Sequence, residues 1–336
     1  MELTQVFPDS RAEKAKGPAS ASASPAPDLN NKTFKINHVM SSDIHSGIFS
    51  AILGYFEEYL PENYTQVVSK EPLPNCDVYH FHRPQLAQHI PKNSLCTVHH
   101  DLKDQDKWLS IDKFIQAYQL CSRVVCINKT QQRTLNDQFE IRNTTVIPHG
   151  VNKGIFSKPI HKPNSNIKTC LGLISKRYAR GVKGEFRLYE IAKRLNPSEF
   201  SFFLVGEQRY LDAKKLANLG FDVQCFEDMP YSLIPQVYNR IDALLILSNF
   251  EGGPANIPEA IYSKTPIIST PVGMSIDVLN PEKLENGFFL DDDFDSAADQ
   301  ISAFRKKTKS FSFTNVPDWA QIIKMYQLEY ERILEI

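Results

Sequence analysis

The chain has 336 residues, enough for two domains of ordinary size, each with its own core. Its 38 Lys and Arg balance 39 Asp and Glu, which excludes the global positive field that gathers nucleic acid. The six cysteines, at 76, 96, 121, 126, 170 and 225, form no Cys-x-x-Cys pair and read as reduced core thiols of a cytosolic protein. No apolar run nears the ~18 to 20 residues that cross a bilayer, and the N-terminus carries no apolar signal core.

Residues 1–31, with the Ala/Ser/Pro tract at 19–27, are too small and polar to bury a core and read as a flexible tail. A strand is predicted over 33–40, then a small-residue loop and a helix through Leu60, whose apolar residues at 48, 49, 52, 53, 56 and 60 share one face. The loop places backbone amides, Gly47 among them, at a strand's carboxyl end, where an anion fits and so does a plain connection. Short strands follow at 77–82 and 95–101. Their His80, His82, His99, His100 and Asp101 admit a metal-binding reading, against which adjacent histidines point to opposite faces of a strand. Over 102–118, Trp108 with Lys103, Lys107 and Lys113 suits either a solvated helix face with one core aromatic or a surface resting on anionic lipid. A strand at 123–128, a helix to about 139 and a strand running into Pro148, His149, Gly150, Val151 and Asn152 complete the first half. Pro159 and Pro163 mark a linker at 159–166.

The second half opens with a strand at 169–174 and a loop carrying Lys176, Arg177, Arg180 and Lys183 ahead of a helix through Leu195. Four cations in a glycine-containing loop suit a diphosphate better than a solvated turn. Strands at 200–207, ending at Gly206, and at 222–226 continue the alternation, and 229–234 reads as a loop and helix start. The apolar run 241–248 reads as a buried parallel strand that stops at Gly252, Gly253 and Pro254, with Pro258 early in the next helix. Gly252 and Gly253 let the backbone approach a ligand, and the free amides through Ala255 and Asn256 favour an anion. Glu251 and Glu259 flank those amides. Carboxylates beside a phosphate cradle make sense when they accept hydrogen bonds from neutral hydroxyls, so the stretch suits a nucleotide-sugar. A strand and loop at 266–274 and a helix at 316–336, with Trp319, Ile322, Ile323, Tyr326, Tyr330 and Ile333 at helical spacing, end the chain. Alternating strands and helices predict an α/β protein with two doubly wound parallel sheets.

The Glu251-x7-Glu259 spacing after an apolar strand resembles the donor site of retaining glycosyltransferases of family four, which have the GT-B fold: two Rossmann-like domains facing a cleft. Four further motifs fall in the same order: Thr97-x-His99, Pro148 to Val151 (where His149 and Asn152 depart from the usual Asn and Asp), Arg177 with Lys183-Gly184, and Gly206. The resemblance divides the chain into the tail 1–31, an acceptor-side domain 32–158, the linker 159–166, a nucleotide-sugar-binding domain 167–315, and a helix 316–336 that crosses back to the first domain. It implies that Arg177 and Lys183 hold the diphosphate, that Glu251 and His99 orient the sugar, and that Glu259 takes the ribose hydroxyls. Gly47, Gly206, Gly252, Gly253, Pro254, Ala255 and Asn256 would complete the donor site. No cofactor and no metal are implied. The implied reaction moves a sugar from a nucleotide-sugar to an acceptor hydroxyl with retention, by front-side attack assisted by the leaving phosphate. The implied partners are the donor and a glycan or glycolipid acceptor, in bacterial surface polysaccharide or glycoconjugate synthesis, with peripheral contact at the cytoplasmic face of the inner membrane. Two alternatives stand beside it: a nucleotide-sugar-binding scaffold without transfer, and an epimerase or hydrolase on the same fold.

Overall fold

The short apolar runs of the sequence become parallel strands, and the amphipathic stretches between them become the helices that cover both sheet faces. The computed structural model describes residues 32–40, 47–156, 168–306 and 311–335. The tail 1–31, the linker 159–166 and the loop 41–46 lie outside them. The first half runs β1 Phe34–Val39, α1 Gly47–Tyr59, β2 Tyr64–Ser69, β3 Val78–Phe81, β4 Ser94–Val98, α2 Ile115–Leu120, β5 Arg123–Cys126, α3 Lys129–Gln138 and β6 Thr144–Val146. These strands form a six-stranded sheet in the order β2-β1-β3-β4-β5-β6, every pair parallel. β3 and β4 are buried along their whole length, as central parallel strands are.

Two parts of this half differ from the sequence reading. β2 was not predicted, because Thr65 and Gln66 interrupt its apolar pattern; it is an edge strand that exposes Thr65 and Val68. Nor do residues 102–110 form a helix. The Asp101, Asp104 and Asp106 side chains accept the backbone N–H groups of Lys103, Asp106 and Trp108 at 2.9, 3.0 and 2.9 Å. Three consecutive local turns of this kind outcompete a helix. Trp108 is consequently 69% exposed, while Phe114 and Tyr118 supply the core aromatics of the segment.

The second half runs β7 Thr169–Ile174, α4 Glu185–Ala192, β8 Phe200–Val205, α5 Tyr210–Asn218, β9 Asp222–Phe226, α6 Ile234–Arg240, β10 Ala243–Ile246, α7 Asn256–Tyr262, β11 Ile267–Ser269, α8 Ser275–Val278, β12 Gly287–Phe289 and α9 Phe294–Lys306. Its parallel sheet has the order β12-β11-β10-β7-β8-β9. The strand order reverses between β7 and β10, which opens a crevice at their carboxyl ends. The closing α10 Trp319–Leu334 starts from a capping box of Asp318 and Gln321. It then buries Trp319, Ile322, Ile323, Tyr326 and Tyr330 against Phe34, Ile36, Phe56, Val78 and Leu95. The end of the chain therefore completes the core of its beginning. Among the described residues no helix is long and apolar enough to cross a membrane.

Candidate functional site

A pocket of about 300 Å³ occupies the crevice between the carboxyl ends of β7 and β10, with Ile174 and Ser175 on one wall, Ile246 and Ser248 on the other, and the start of α7 at its base. Lys183 enters from the loop before α4. At Gly184 (φ +79°) a Cβ would meet the Leu247 carbonyl oxygen at 1.9 Å, so a side chain there would drive the lysine loop away from β10. Lys183 Nζ pairs with Glu251 Oε1, which also accepts from Ser248 Oγ at 2.9 Å. Pro254, Ala255 and Asn256 line the pocket beside them. The Asn256 amide nitrogen donates to the Ile174 carbonyl at 2.9 Å, while its Oδ1 is buried with no partner among the described residues.

Glu259 lies at the inner wall, 6% exposed. Its Oε1 accepts from Tyr231 OH at 2.7 Å and its Oε2 from Tyr238 OH at 2.9 Å. Burial pushes this carboxyl up to about 7, against the two phenols, which pull it down. A buried carboxylate already bonded by two hydroxyl groups is a site shaped for hydroxyl donors. Tyr238 was missed in the sequence; the only trace was its spacing of seven from Tyr231, two turns along one helical face.

The cations of the loop divide differently from expectation. Lys183 reaches the pocket, but Arg177 does not line it: its Nε donates to Asp212 Oδ1 at 3.2 Å, and Tyr189 OH donates to the same oxygen. The physical reason is a buried charge cluster behind the pocket wall. Arg209, fully buried, donates from Nη1 to Asp212 Oδ2 at 2.6 Å and to Glu185 Oε1 at 3.3 Å. From Nε and Nη2 it donates to the Ser175 carbonyl and hydroxyl, each at 2.8 Å. Asp212 and Glu185 together set two negative charges against the one on Arg209, and Asp212 draws Arg177 as well. Lys176 pairs with Glu207 at 2.6 Å on the surface. Arg180 spans to the first half, with Nη2 2.8 Å from Asp104 Oδ2 and Nη1 3.3 Å from Asp106 Oδ2.

The glycines also depart from their expected role. Gly252 and Gly253 line neither described pocket; they let the second half press on the first. A Cβ at Gly252 would sit 2.7 Å from the His99 carbonyl oxygen, and one at Gly253 would sit 2.3 Å from Ile127 Cγ2. Asn128 Nδ2 donates to the Gly252 carbonyl at 2.7 Å, and the Glu251 N–H donates to Asp101 Oδ2 at 3.1 Å, so the contact is polar as well as close. Gly206 abuts the Ser175 backbone, and a Cβ at Gly47 would meet no described residue within 4 Å; Gly47 lines no described pocket.

The His99 backbone stands at this junction; its half-buried ring lines neither described pocket, with Nε2 3.1 Å from His82 Nδ1 and the ring 4.9 Å from that of Phe49. His100 turns to the opposite face of the strand and stacks on Phe114 at 3.9 Å. The five-residue metal set envisaged in the sequence is therefore not assembled; His38 joins His80 and His82 instead. A second pocket of about 100 Å³, with Asp101, Lys103, Thr130 and Asn249 in its wall, shares Glu251 with the first.

Residues 158–310 match the family described as glycosyl transferases group 1. No curated protein sequence matches the chain significantly. Among solved structures, the chain is similar to a glycosyltransferase from Rickettsia africae at 16% identity and TM-score 0.64, over 91% of this chain and 99% of that one. It is also similar to a sucrose-phosphate synthase from Thermosynechococcus elongatus at 14% identity and TM-score 0.69, over 90% and 100%. A third is HepE of Anabaena in complex with UDP, at 15% identity and TM-score 0.58, over 90% and 95%. The fold is GT-B, two parallel six-stranded sheets with interleaved helices. The family match in the second half and the fold of the whole together support glycosyl transfer.

Proposed function

We propose that the chain is a retaining glycosyltransferase that takes a nucleotide-sugar into the pocket between β7 and β10 and passes its sugar to an acceptor hydroxyl. The observation that carries the reading is Glu259, a buried carboxylate whose two oxygens already hold hydroxyl donors inside a pocket of nucleotide size, with Lys183 at its mouth. The ribose hydroxyls bind Glu259 in place of Tyr231 OH, the more exposed of the two phenols. Lys183 and the amides of Ala255 and Asn256 stabilise the departing diphosphate, where one such charge contact is typically worth about 10² to 10³-fold in rate. Freed from Lys183 by the phosphate, Glu251 accepts from the sugar hydroxyls together with His99. Because Glu251 also borders the second pocket, that pocket receives the acceptor. The reading invokes no metal.

UDP in complex with the Anabaena HepE structure and the galactosyltransferase and WaaG of lipopolysaccharide synthesis among similar folds support a nucleotide-sugar donor and a glycan or glycolipid acceptor of bacterial surface polysaccharide or glycoconjugate synthesis. A cytoplasmic protein touching the membrane face through Trp108 completes the proposal. One observation favours the second reading, a nucleotide-sugar-binding protein without transfer: Arg177, the expected second phosphate ligand, is held by Asp212. The test is calorimetry and nucleotide release across a panel of nucleotide-sugars, with Glu259→Ala alongside. Binding with release that depends on Glu259 supports the enzyme, and binding without release or transfer to any acceptor supports the second reading. No binding by any donor sinks both.

A further inference from the structure

Three histidines from three different strands stand in line behind His99's junction. His38 at the end of β1, His82 just after β3 and His99 just after β4 all project to the α1 side of the first sheet, since residues two apart on a strand share a face. His38 Nδ1 lies 3.1 Å from His82 Nε2, and His82 Nδ1 lies 3.1 Å from His99 Nε2. Both ring pairs have centroids 5.4 Å apart and planes tilted by 23° and 26°. Rings so far apart at their centres and so close at one nitrogen meet edge to edge in nearly one plane, which is the geometry of N–H···N hydrogen bonds. It is not that of a tetrahedral metal site, whose ring nitrogens aim their lone pairs at a common point to one side rather than at each other. His80, the third member of the cluster, stacks on His82 at 4.3 Å and spends both nitrogens on Tyr330 OH and Thr97 Oγ1, each at 2.8 Å.

Burial holds these rings neutral: His38 is pushed down to about 3, and His82 and His99 well below the ordinary value. A neutral imidazole has one donor and one acceptor, so a chain of three has only two states: every ring protonated on Nε2, or every ring protonated on Nδ1. The inner end decides between them. Gln66 pairs in register with Ile36 and so shares the face of His38, and its amide nitrogen donates to the Leu53 carbonyl at 3.3 Å. A carbonyl only accepts, so Gln66 Oε1 is aimed away from Leu53. Gln66 Oε1 and His38 Nε2 are both buried with no other partner among the described residues, and each is what the other lacks.

We propose that Gln66, His38 and His82 are positioning residues that fix His99 as its Nε2–H tautomer, so that His99 offers the Nδ1 lone pair at the junction and accepts a hydroxyl of the bound sugar rather than donating to a phosphate. The inference rests on the proposed donor site for its substrate but not for its structure. The order is Gln66 Oε1 accepting from His38 Nε2–H, His38 Nδ1 from His82 Nε2–H, and His82 Nδ1 from His99 Nε2–H. No proton needs to travel along the ladder.

Long-range proton–nitrogen NMR of the full chain labelled with ¹⁵N-histidine reads each tautomer directly. The expected result is a neutral Nε2–H form at His38, His82 and His99 between about pH 6 and 8, each assigned by its own substitution. In Gln66→Met, which fills the same space without a polar end, His99 should change from one form to a mixture of two. His82→Phe keeps the aromatic stack on His80, cuts the ladder and should do the same, which keeps the test open if Gln66→Met does not fold. An Nδ1–H form at His99 in the unaltered chain, an unchanged His99 in a folded variant, or nitrogen shifts of a metal-bound ring would each overturn the proposal. The spectra need no nucleotide-sugar, so the ladder can stand where no donor binds, and a donor can bind where the ladder fails.

Discussion

Two buried polar clusters, one in each half, are held by opposite means. Behind the pocket of the second half, charge is matched by charge: Arg209 and Arg177 against Asp212 and Glu185, Lys183 against Glu251. In the interior of the first half, four histidines, Tyr326, Tyr330 and Thr97 satisfy one another as neutral groups. Charge is worth holding where a charged substrate will replace one partner, and neutral hydrogen bonding is worth holding where a ring must keep a fixed orientation. The comparison predicts that single substitutions in the second half behave as charge defects, and those in the first as geometric ones.

The sharpest way to break that comparison is Arg209→Leu. It strands Asp212 and Glu185 in the interior, and removing one partner of a buried ion cluster typically costs about 3–5 kcal/mol. Urea denaturation should show a loss of that size; a change under 1 kcal/mol would mean the cluster is not held by charge. Next in size is Lys183→Ala, for which transfer or donor-release rates should fall by about 10² to 10³ with the fold intact. Arg177→Ala should instead lower stability with a smaller loss of rate at saturating donor, because its guanidinium serves Asp212. If the two rate losses are equal, Arg177 swings into the pocket when the donor binds.

Much of this site was legible because its parts are local. Glu251, Asn256 and Glu259 sit within one strand, loop and helix, and Lys183 sits in one loop after one strand, so local pattern brings each residue to the pocket. Arg209, Glu185 and Asp212 gave no such signal: each reads as an ordinary charged residue, and their burial follows from how α4 and α5 pack beside β7 and β8. The histidine ladder was invisible for a related reason. Its register is set by pairing among β1, β2 and β3, and the strand that brings in Gln66 had itself gone unrecognised. Gly252 and Gly253 could not be placed from sequence, because a glycine pair before a helix suits a ligand and a neighbouring segment of the chain equally well.

A smaller effect tests Glu259 through pH. A buried carboxyl raised to about 7 from an ordinary 4.5 binds its proton more tightly in the folded chain than in the unfolded one. Between those values the folded state carries the extra proton, so stability falls as pH rises through the window, by roughly 1–3 kcal/mol. Glu259→Gln should flatten that slope in urea titrations from about pH 5 to 7. Nucleotide affinity should run the other way, rising with pH over the same window, because ribose hydroxyls favour the ionised carboxylate. A slope that survives in the Gln variant would locate the titration elsewhere.

The smallest expected change in stability belongs to Trp108, and it separates surface purpose from folding. The residue is 69% exposed, Lys107 Nζ lies 5.3 Å from the centre of its ring, and the turns beneath it are held by aspartates rather than by the indole. Trp108→Ser should therefore shift stability by no more than about 0.5 kcal/mol. An indole beside lysines sits well at the headgroup level of an anionic bilayer, where ring and cations act together. Flotation with vesicles containing phosphatidylglycerol should recover less of the variant than of the unaltered chain, and added salt should reduce both. Equal recovery would assign Trp108 to the acceptor side of the cleft or to no partner at all, and the first half's exposed surface would then carry no lipid role.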